Sequence, residues 1–372
     1  MLGRMLKASA LIVASIVFCL LVAEGVCRLL PVQTGREVQT VDASHPFISF
    51  KPNREFTFSN GSLLTNARRG HINNFGFVND EDYETDDSHP PLAVIGDSYI
   101  EAAMVPYPLT VQGRLAARQP PNRRVYSFGS SGSSLLDYLY YAVEAHRHFH
   151  ADWLVINVVN NDFDEMLLRY KQHPAFHYLV EQPDGSLTPV LLEYHPGLPR
   201  KVLRHSALAR YLIFNVSNNL PILSRTLAIL RRLIEPLRPA HAAEPSDAEA
   251  AEQLKIELSK RATLYVLDHL PEQVGLPVSR VLFLIDGYRI FDPAQLAATR
   301  RGYFGVMRTY FIEQARQRGY EVADLQDWFS RRHERDGSVF QFPDDGHWNA
   351  LGHEEATNAV LASELYADFE KW

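Results

Sequence analysis

The 372-residue chain has only two cysteines, Cys19 and Cys27, and both lie in one apolar stretch near its start. Everything beyond residue 27 is therefore without a disulfide or a thiolate metal site. A basic excess is missing too. The 37 Lys and Arg stand against 44 Asp and Glu, a formal net charge of -7. That argues against a general nucleic-acid binder, which would carry a basic footprint. Internal repeats are absent, and so are long apolar runs, with one exception. That run covers residues 8–23, 16 residues in all, and follows Arg4 and Lys7. It falls a little short of the roughly 20 residues needed to span a bilayer. Glu24 and Arg28 then stand four apart, acid first, so they can pair on one helix face and let the helix run on to Leu30. Basic residues before the run and few after it put the N-terminus in the cytoplasm and the remainder in the periplasm or exterior. A cleaved signal peptide is the alternative. No clean small-x-small site precedes a polar start, so residues 1–31 are expected to be an uncleaved membrane anchor.

The rest of the chain has ample apolar residues for a core; 46% of all residues are hydrophobic. Residues 32–88 are mixed and polar, with short apolar stretches such as Phe47-Ile48-Ser49-Phe50. They read as a stalk leading into peripheral strands. From Pro91 strands and helices alternate. Strands are expected up to Gly96 and at 124–128, 153–159, 280–285 and 321–325. Helices are expected at 109–118, 135–148, 256–269 and 303–318, the last ended by Gly319 as a C-cap. Asp184-Gly185-Ser186 reads as a hairpin turn. Residues 200–237 read as helical, broken at Asn218-Asn219-Leu220-Pro221, and 238–252, rich in Ala, Pro and acids, as a mobile linker. The expectation is one α/β domain over 89–372 with a helical insertion at about 175–254. Strands alternating with helices imply a parallel sheet covered on both faces, a three-layer α/β/α arrangement.

In such a sheet ligands bind beyond the carboxyl ends of the strands. Ser98 follows the first strand in Ile95-Gly96-Asp97-Ser98. A serine is a poor nucleophile near neutral pH; it needs a base, and the base needs a third group to hold its tautomer. Asp344-Asp345-Gly346-His347 puts two carboxylates within three residues of an imidazole. His347 is the candidate base, with Asp345 or Asp344 as its partner. Gly132 follows the second strand, where its backbone can approach a substrate and donate N–H; Gly129 reads as the turn-former. The loop lacks the lysine of a P-loop. Asn161 follows the third strand and can give a side-chain N–H to the same oxyanion. Each residue has a plainer reading: Ser98 as a helix N-cap, Asn161 as a turn residue, His347 as a surface histidine.

Other features are weaker. His146 and His150 could share a helix face as metal ligands, but cations at a helix end suit its dipole, and neither metal nor cofactor is expected. His353 is expected to pack in the closing helix. Asp286 and Arg289 follow the fourth strand and either line the pocket or form a structural ion pair. The stretch 222–237, with Arg225, Arg231 and Arg232, reads as a cap over the core or a face resting on the membrane.

Taken in order, Gly96-Asp97-Ser98, the glycine pair Gly129 and Gly132, Asn161-Asp162 and the Asp-His turn resemble the four sequence blocks of the SGNH (GDSL-like) hydrolases, over roughly residues 91–365 apart from the insertion. The third block usually reads G-x-N-D; Val159 stands at its Gly position. Asp345-Gly346-His347-Trp348-Asn349 resembles the D-G-H-W-N of the membrane-anchored, polysaccharide-acyl branch, and Asn74 to Asp80 resembles its lead-in. The resemblance implies a flavodoxin-like SGNH sandwich and a serine esterase or O-acyltransferase. Ser98 would be the nucleophile, His347 the base, and Asp345, taken ahead of Asp344, its orienting acid. Ser98 N–H, Gly132 and Asn161 would form the oxyanion hole. The implied substrates are ester-linked acyl groups, acetyl foremost, on an exported glycan. The implied partners are that acylated carbohydrate or another ester and the membrane, with no nucleic acid. Two rival readings are a non-catalytic glycan-binding protein of polysaccharide export and a lipid or thioester hydrolase, which would need a long apolar channel.

Overall fold

The structure, a computed structural model, describes residues 2–85, 89–197, 203–216 and 248–372. The chain forms two compact units. The smaller gathers Met1–Glu37, Glu55–Gly70 and Pro196–Pro239; the larger takes the remainder.

The smaller unit opens with α1, Leu2–Leu29. Its segment Arg4–Leu29 has a mean hydropathy of 2.5 and is long and apolar enough to cross a membrane. Twenty-eight residues rise about 42 Å along a helix axis, more than a hydrocarbon core of about 30 Å requires. Glu24 and Arg28 do pair, at 2.7 Å. Glu24 also accepts from Ala207 N at 3.0 Å and Leu208 N at 2.9 Å, at the start of the short helix Ala207–Arg210. Most of a hairpin, β1 (Arg54–Asn60) and β2 (Thr65–Ile72), also belongs here. The break at Asn218–Pro221 and the arginine face at 222–237 lie outside the described residues.

The larger unit is built on five strands: β3 (Leu92–Gly96), β4 (Val125–Gly129), β5 (Trp153–Val158), β8 (Val281–Ile285) and β9 (Glu321–Asp324). Their order is β4-β3-β5-β8-β9 and every neighbouring pair is parallel. Ala93 lies between Tyr126 and Leu154, and Leu282 between Val155 and Glu321. This is the flavodoxin-like order, in which the direction of winding reverses between β3 and β5. Alternate side chains go to opposite faces. Ala93, Ile95, Leu154, Ile156 and Phe283 enter one core; Leu92, Val94, Val155, Leu282 and Leu284 enter the other. The first core is covered by helices Leu135–Phe149, Ala248–Val274 and Tyr303–Gln317. The second is covered by Val111–Ala116, Leu325–Asp336, Ala350–Leu361 and Glu364–Lys371. The expected α/β/α layering is therefore present. Between β5 and β8, the hairpin β6 (His177–Glu181) and β7 (Leu187–Leu191) turns at Asp184–Ser186, as its sequence implied.

Several local expectations are corrected. The helix expected over 109–118 starts later, at Val111, because Thr110 caps it by accepting from Gly113 N at 3.1 Å. The linker expected over 238–252 is helical from Ala248; residues 238–247 lie outside the described residues. His347 sits not in a turn but on a short strand, β11 (Asp345–Trp348), paired antiparallel with β10 (Gln341–Phe342).

Candidate active site

Ser98 is placed by the end of β3. Asp97, not Ser98, is the N-cap of the four-residue helix Ser98–Glu101: its Oδ1 accepts from Tyr99 N at 3.0 Å. The helix crowds against the sheet. A Cβ on Gly96 would sit 2.5 Å from Ile100 Cγ1, and one on Gly129 would sit 2.8 Å from Glu101 N. Gly129 is thus required for close approach. The turn-forming glycine is Gly132, which has φ +88°.

The C-terminal strand β11 brings His347 to Ser98. His347 Nε2 lies 2.7 Å from Ser98 Oγ. Its Nδ1 makes a short contact with Asp345 Oδ1, which also accepts from His347 N at 3.1 Å. A carboxylate only accepts, so Nδ1 carries the proton and Nε2 is free to accept from the Ser98 hydroxyl. Of the two acids left open by spacing, Asp345 faces the ring and Asp344 is exposed. Ser98 Oγ has a second, longer contact of 3.3 Å with Asp97 Oδ2.

Charge is concentrated here. Burial disfavours a charged His347. The Asp345 hydrogen bond and the charges of Asp345, Asp97 and Glu101 outweigh that, holding the imidazole above its ordinary value near 6.5. Burial likewise opposes ionised Asp345, but its bond to His347 and the imidazole's charge keep it below the usual carboxylate value. Asp97, fully enclosed, is pushed by burial up to about 6 despite bonds from Tyr99 N and Ser98.

Ser98 and His347 share a cleft of about 480 Å³ with Gly132, Asn160, Asn161 and Lys171. Asn161 is the N-cap of the helix Asp162–Glu165, yet its side chain makes no capping bond, which leaves the amide available. Asn160 is exposed and Asn161 half-buried. Val159, at the departure from G-x-N-D, is fully buried in the core, and its N–H donates to Asp162 Oδ2 at 2.7 Å. Asp162 is held in turn by the Tyr138 hydroxyl at 2.7 Å. The loop shape is therefore fixed by Asp162 rather than by a glycine.

Two contributors were not read from the sequence. Glu101, three residues after Ser98, accepts from Ser131 N at 2.7 Å and from Ser131 Oγ at 3.0 Å, holding the loop that carries Gly132. Its i+3 spacing from Ser98 was the one available signal. Lys171 makes a short bond to Gly132 O, a 2.5 Å bond to Glu165 Oε2, and stands 4.6 Å over the Phe176 ring. Nothing in the local pattern points to it.

The remaining candidates fall elsewhere. His146 Nδ1 meets Ala151 O at 3.1 Å, and His150 leaves its helix in the left-handed region at φ 56°, so the two do not continue one helix face. No cluster of three metal-ligating side chains occurs among the described residues. His353 is buried, accepts from Val111 N at 3.3 Å, and is depressed by burial to about 3. Asp286 and Arg289 pair with each other, and neither lines the cleft.

No family model matches this chain and no curated protein matches it in sequence. The similarities found are to the coordinates of solved structures. An α/β hydrolase enzyme, LAE5, from the metagenome of Lake Arreo in Spain is similar over 75% of this chain and 96% of its own, at 14% identity and a TM-score of 0.39. The lipase Lip_vut3 from a goat rumen metagenome is similar over 74% and 98%, at 12% identity and a TM-score of 0.40. An acetyl xylan esterase, AlAXEase, is similar over 73% and 98%, at 11% identity and a TM-score of 0.37.

Proposed function

We propose that this protein is a membrane-anchored serine esterase or O-acyltransferase of the SGNH type, acting on ester-linked acetyl groups of an exported glycan. The observation that carries the reading is the 2.7 Å contact between Ser98 Oγ and His347 Nε2, with Asp345 on the far nitrogen. Ser98 Oγ attacks the ester carbonyl while His347 takes its proton. The oxyanion is held by the N–H of Ser98, at the first position of a helix, by Gly132 N–H and by the Asn161 amide. Collapse expels the sugar hydroxyl, which regains the proton from His347, and leaves an acyl group on Ser98. Water then completes hydrolysis; a sugar hydroxyl completes transfer by the same steps.

The lining supports a small acyl group and a polar acceptor. Its aromatic members are Tyr99, Phe176 and the histidines, and among the described residues its lining includes no Leu, Ile, Val or Met. Serines, asparagines, charged groups and histidines outnumber its two other rings, Tyr99 and Phe176, which favours a short acyl group over the long chain of the lipid or thioester reading. A glycan-binding protein without catalysis would have no need of a base aligned on a serine hydroxyl. We further take residues 1–31 as the anchor, 32–88 as stalk and 89–372 as the catalytic domain, facing the periplasm or exterior. The test is turnover of p-nitrophenyl acetate by the detergent-solubilised full chain. Wild type should hydrolyse it and Ser98→Ala should not; equal rates in the two would end the reading.

A further inference from the structure

Arg289 lies in the loop after β8 and is one of the few non-glycine residues with a left-handed backbone, φ 54°. Side chains disfavour that region, and it persists only where the surroundings impose it. The Arg289 side chain is 10% exposed. A guanidinium carries five N–H donors in a fixed fork, and here five acceptors meet them. Nε donates to Gln341 Oε1 at 3.1 Å. Nη1 donates to both oxygens of Asp286, to Oδ1 at 2.6 Å. Nη2 donates to the Tyr99 hydroxyl and to Gly346 O, each at 3.0 Å. The circuit closes through two more bonds: the Tyr99 hydroxyl donates to Gly346 O at 2.9 Å, and Trp348 Nε1 donates to Asp286 Oδ1 at 2.9 Å.

The position of these acceptors is informative. Tyr99 is the neighbour of Ser98. Gly346 and Trp348 are the two neighbours of His347. One guanidinium and its carboxylate thus grip the nucleophile's helix and both flanks of the base, from the end of the sheet and behind the cleft. We propose that Arg289, held by Asp286, is the positioning residue that sets His347 Nε2 against Ser98 Oγ. The proposal rests on the reading of Ser98 as nucleophile.

A distinction follows from chain connectivity. Asp345 and His347 are two residues apart on β11, so their contact does not depend on Arg289. Losing Arg289 should loosen His347 from Ser98 while leaving the imidazole paired with Asp345. Lysine can still oppose Asp286, but a single ammonium cannot reach acceptors on four segments.

The test is the rate at which a fluorophosphonate labels Ser98 in the full chain: Oγ bonds to phosphorus, fluoride leaves, and His347 takes the proton. Wild type should label to completion. Arg289→Lys should reach the same final stoichiometry about 10–100-fold more slowly, as expected for a displacement near 1 Å. Its KM for p-nitrophenyl acetate should stay within about twofold, with kcat carrying the loss. The pH midpoint of its labelling rate should be that of wild type. A folded Arg289→Lys protein that labels at the wild-type rate, or one whose pH midpoint moves, overturns the proposal. If Arg289→Lys falls short of full stoichiometry through misfolding, Tyr99→Phe decides, since it deletes only the hydroxyl shared by Arg289 and Gly346. About tenfold slower labelling supports the proposal, and the wild-type rate overturns it. Failure of wild type itself to label at Ser98 would remove the nucleophile reading, and the proposal with it.

Discussion

Replacing Asp345 by Asn keeps the shape of β11 and changes one thing: what His347 Nδ1 faces. In the wild type Asp345 Oδ1 accepts from both the ring and the backbone N–H of His347. An amide can offer its NH2 to Nδ1 and so stabilise the other tautomer, with the proton on Nε2, where it blocks acceptance from Ser98. The loss of tautomer and of partner charge in comparable sites costs on the order of 10⁴ in kcat, about 5 kcal/mol of transition-state stabilisation. The pH profile adds a second signature. The base works only when neutral, so kcat/KM should rise with pH through an apparent pKa above the ordinary histidine value near 6.5. Without Asp345, burial is opposed by the weaker effects of Asp97 and Glu101, so the rise should move to lower pH while the plateau falls. The raised pKa also means that the ion pair stabilises the fold most below the unfolded histidine's pKa. That contribution is lost as pH rises through the folded value. Asp344→Asn, at an exposed side chain, should leave both plateau and midpoint in place. The assay is kcat/KM for p-nitrophenyl acetate across pH, with circular dichroism to confirm folding. An Asp345→Asn enzyme with wild-type plateau and midpoint would refute the reasoning. So would a large loss confined to Asp344→Asn.

Asn161→Ala should lower kcat by roughly a hundredfold or more with little change in KM, and Asn160→Ala should not, as steady-state kinetics will tell. Gly132→Ala puts a Cβ on a residue at φ +88° and 3.2 Å from Phe176 Cζ, inside the cleft. It should fold with about 1–2 kcal/mol less stability and turn over at least tenfold more slowly, measured by urea melts and kinetics on one preparation. For the anchor, a reporter fused after Trp372 should be active only when exported; activity of a cytoplasm-only reporter there would reverse the topology.

Ser98, Gly132 and Asn161 of the candidate site were legible because each follows a strand end. The apolar runs at Leu92–Gly96, Val125–Gly129 and Trp153–Val158 announce buried parallel strands, and Ser98, Gly132 and Asn161 follow them. Spacing alone could not choose between Asp344 and Asp345, since either lies close enough to His347 along the chain; the alternation of β11 turns Asp345 toward the ring. The turn-forming conformation read for Gly129 belongs to Gly132, for a similar reason. A glycine needed for close packing and one needed for positive φ look identical in sequence. The helix Pro293–Arg301 went unread because it buries none of its residues and so carries no apolar stripe. Glu101 and Lys171 were invisible as partners, and Arg289 was read only beside Asp286. Their bonds to Ser131, Gly132 and Gly346 join segments 30, 39 and 57 residues apart.

The claim that Ser98 carries the acyl group is tested most directly by trapping it. The full chain is mixed with p-nitrophenyl acetate, quenched in acid within one turnover and digested, and the Ser98 peptide is weighed and fragmented. The account predicts one acetyl group on Ser98 in the wild type. His347→Ala should carry far less, and Ser98→Ala none at that position. An acetyl group found on another side chain, or wild-type turnover with Ser98 unmodified at every quench time, would contradict it.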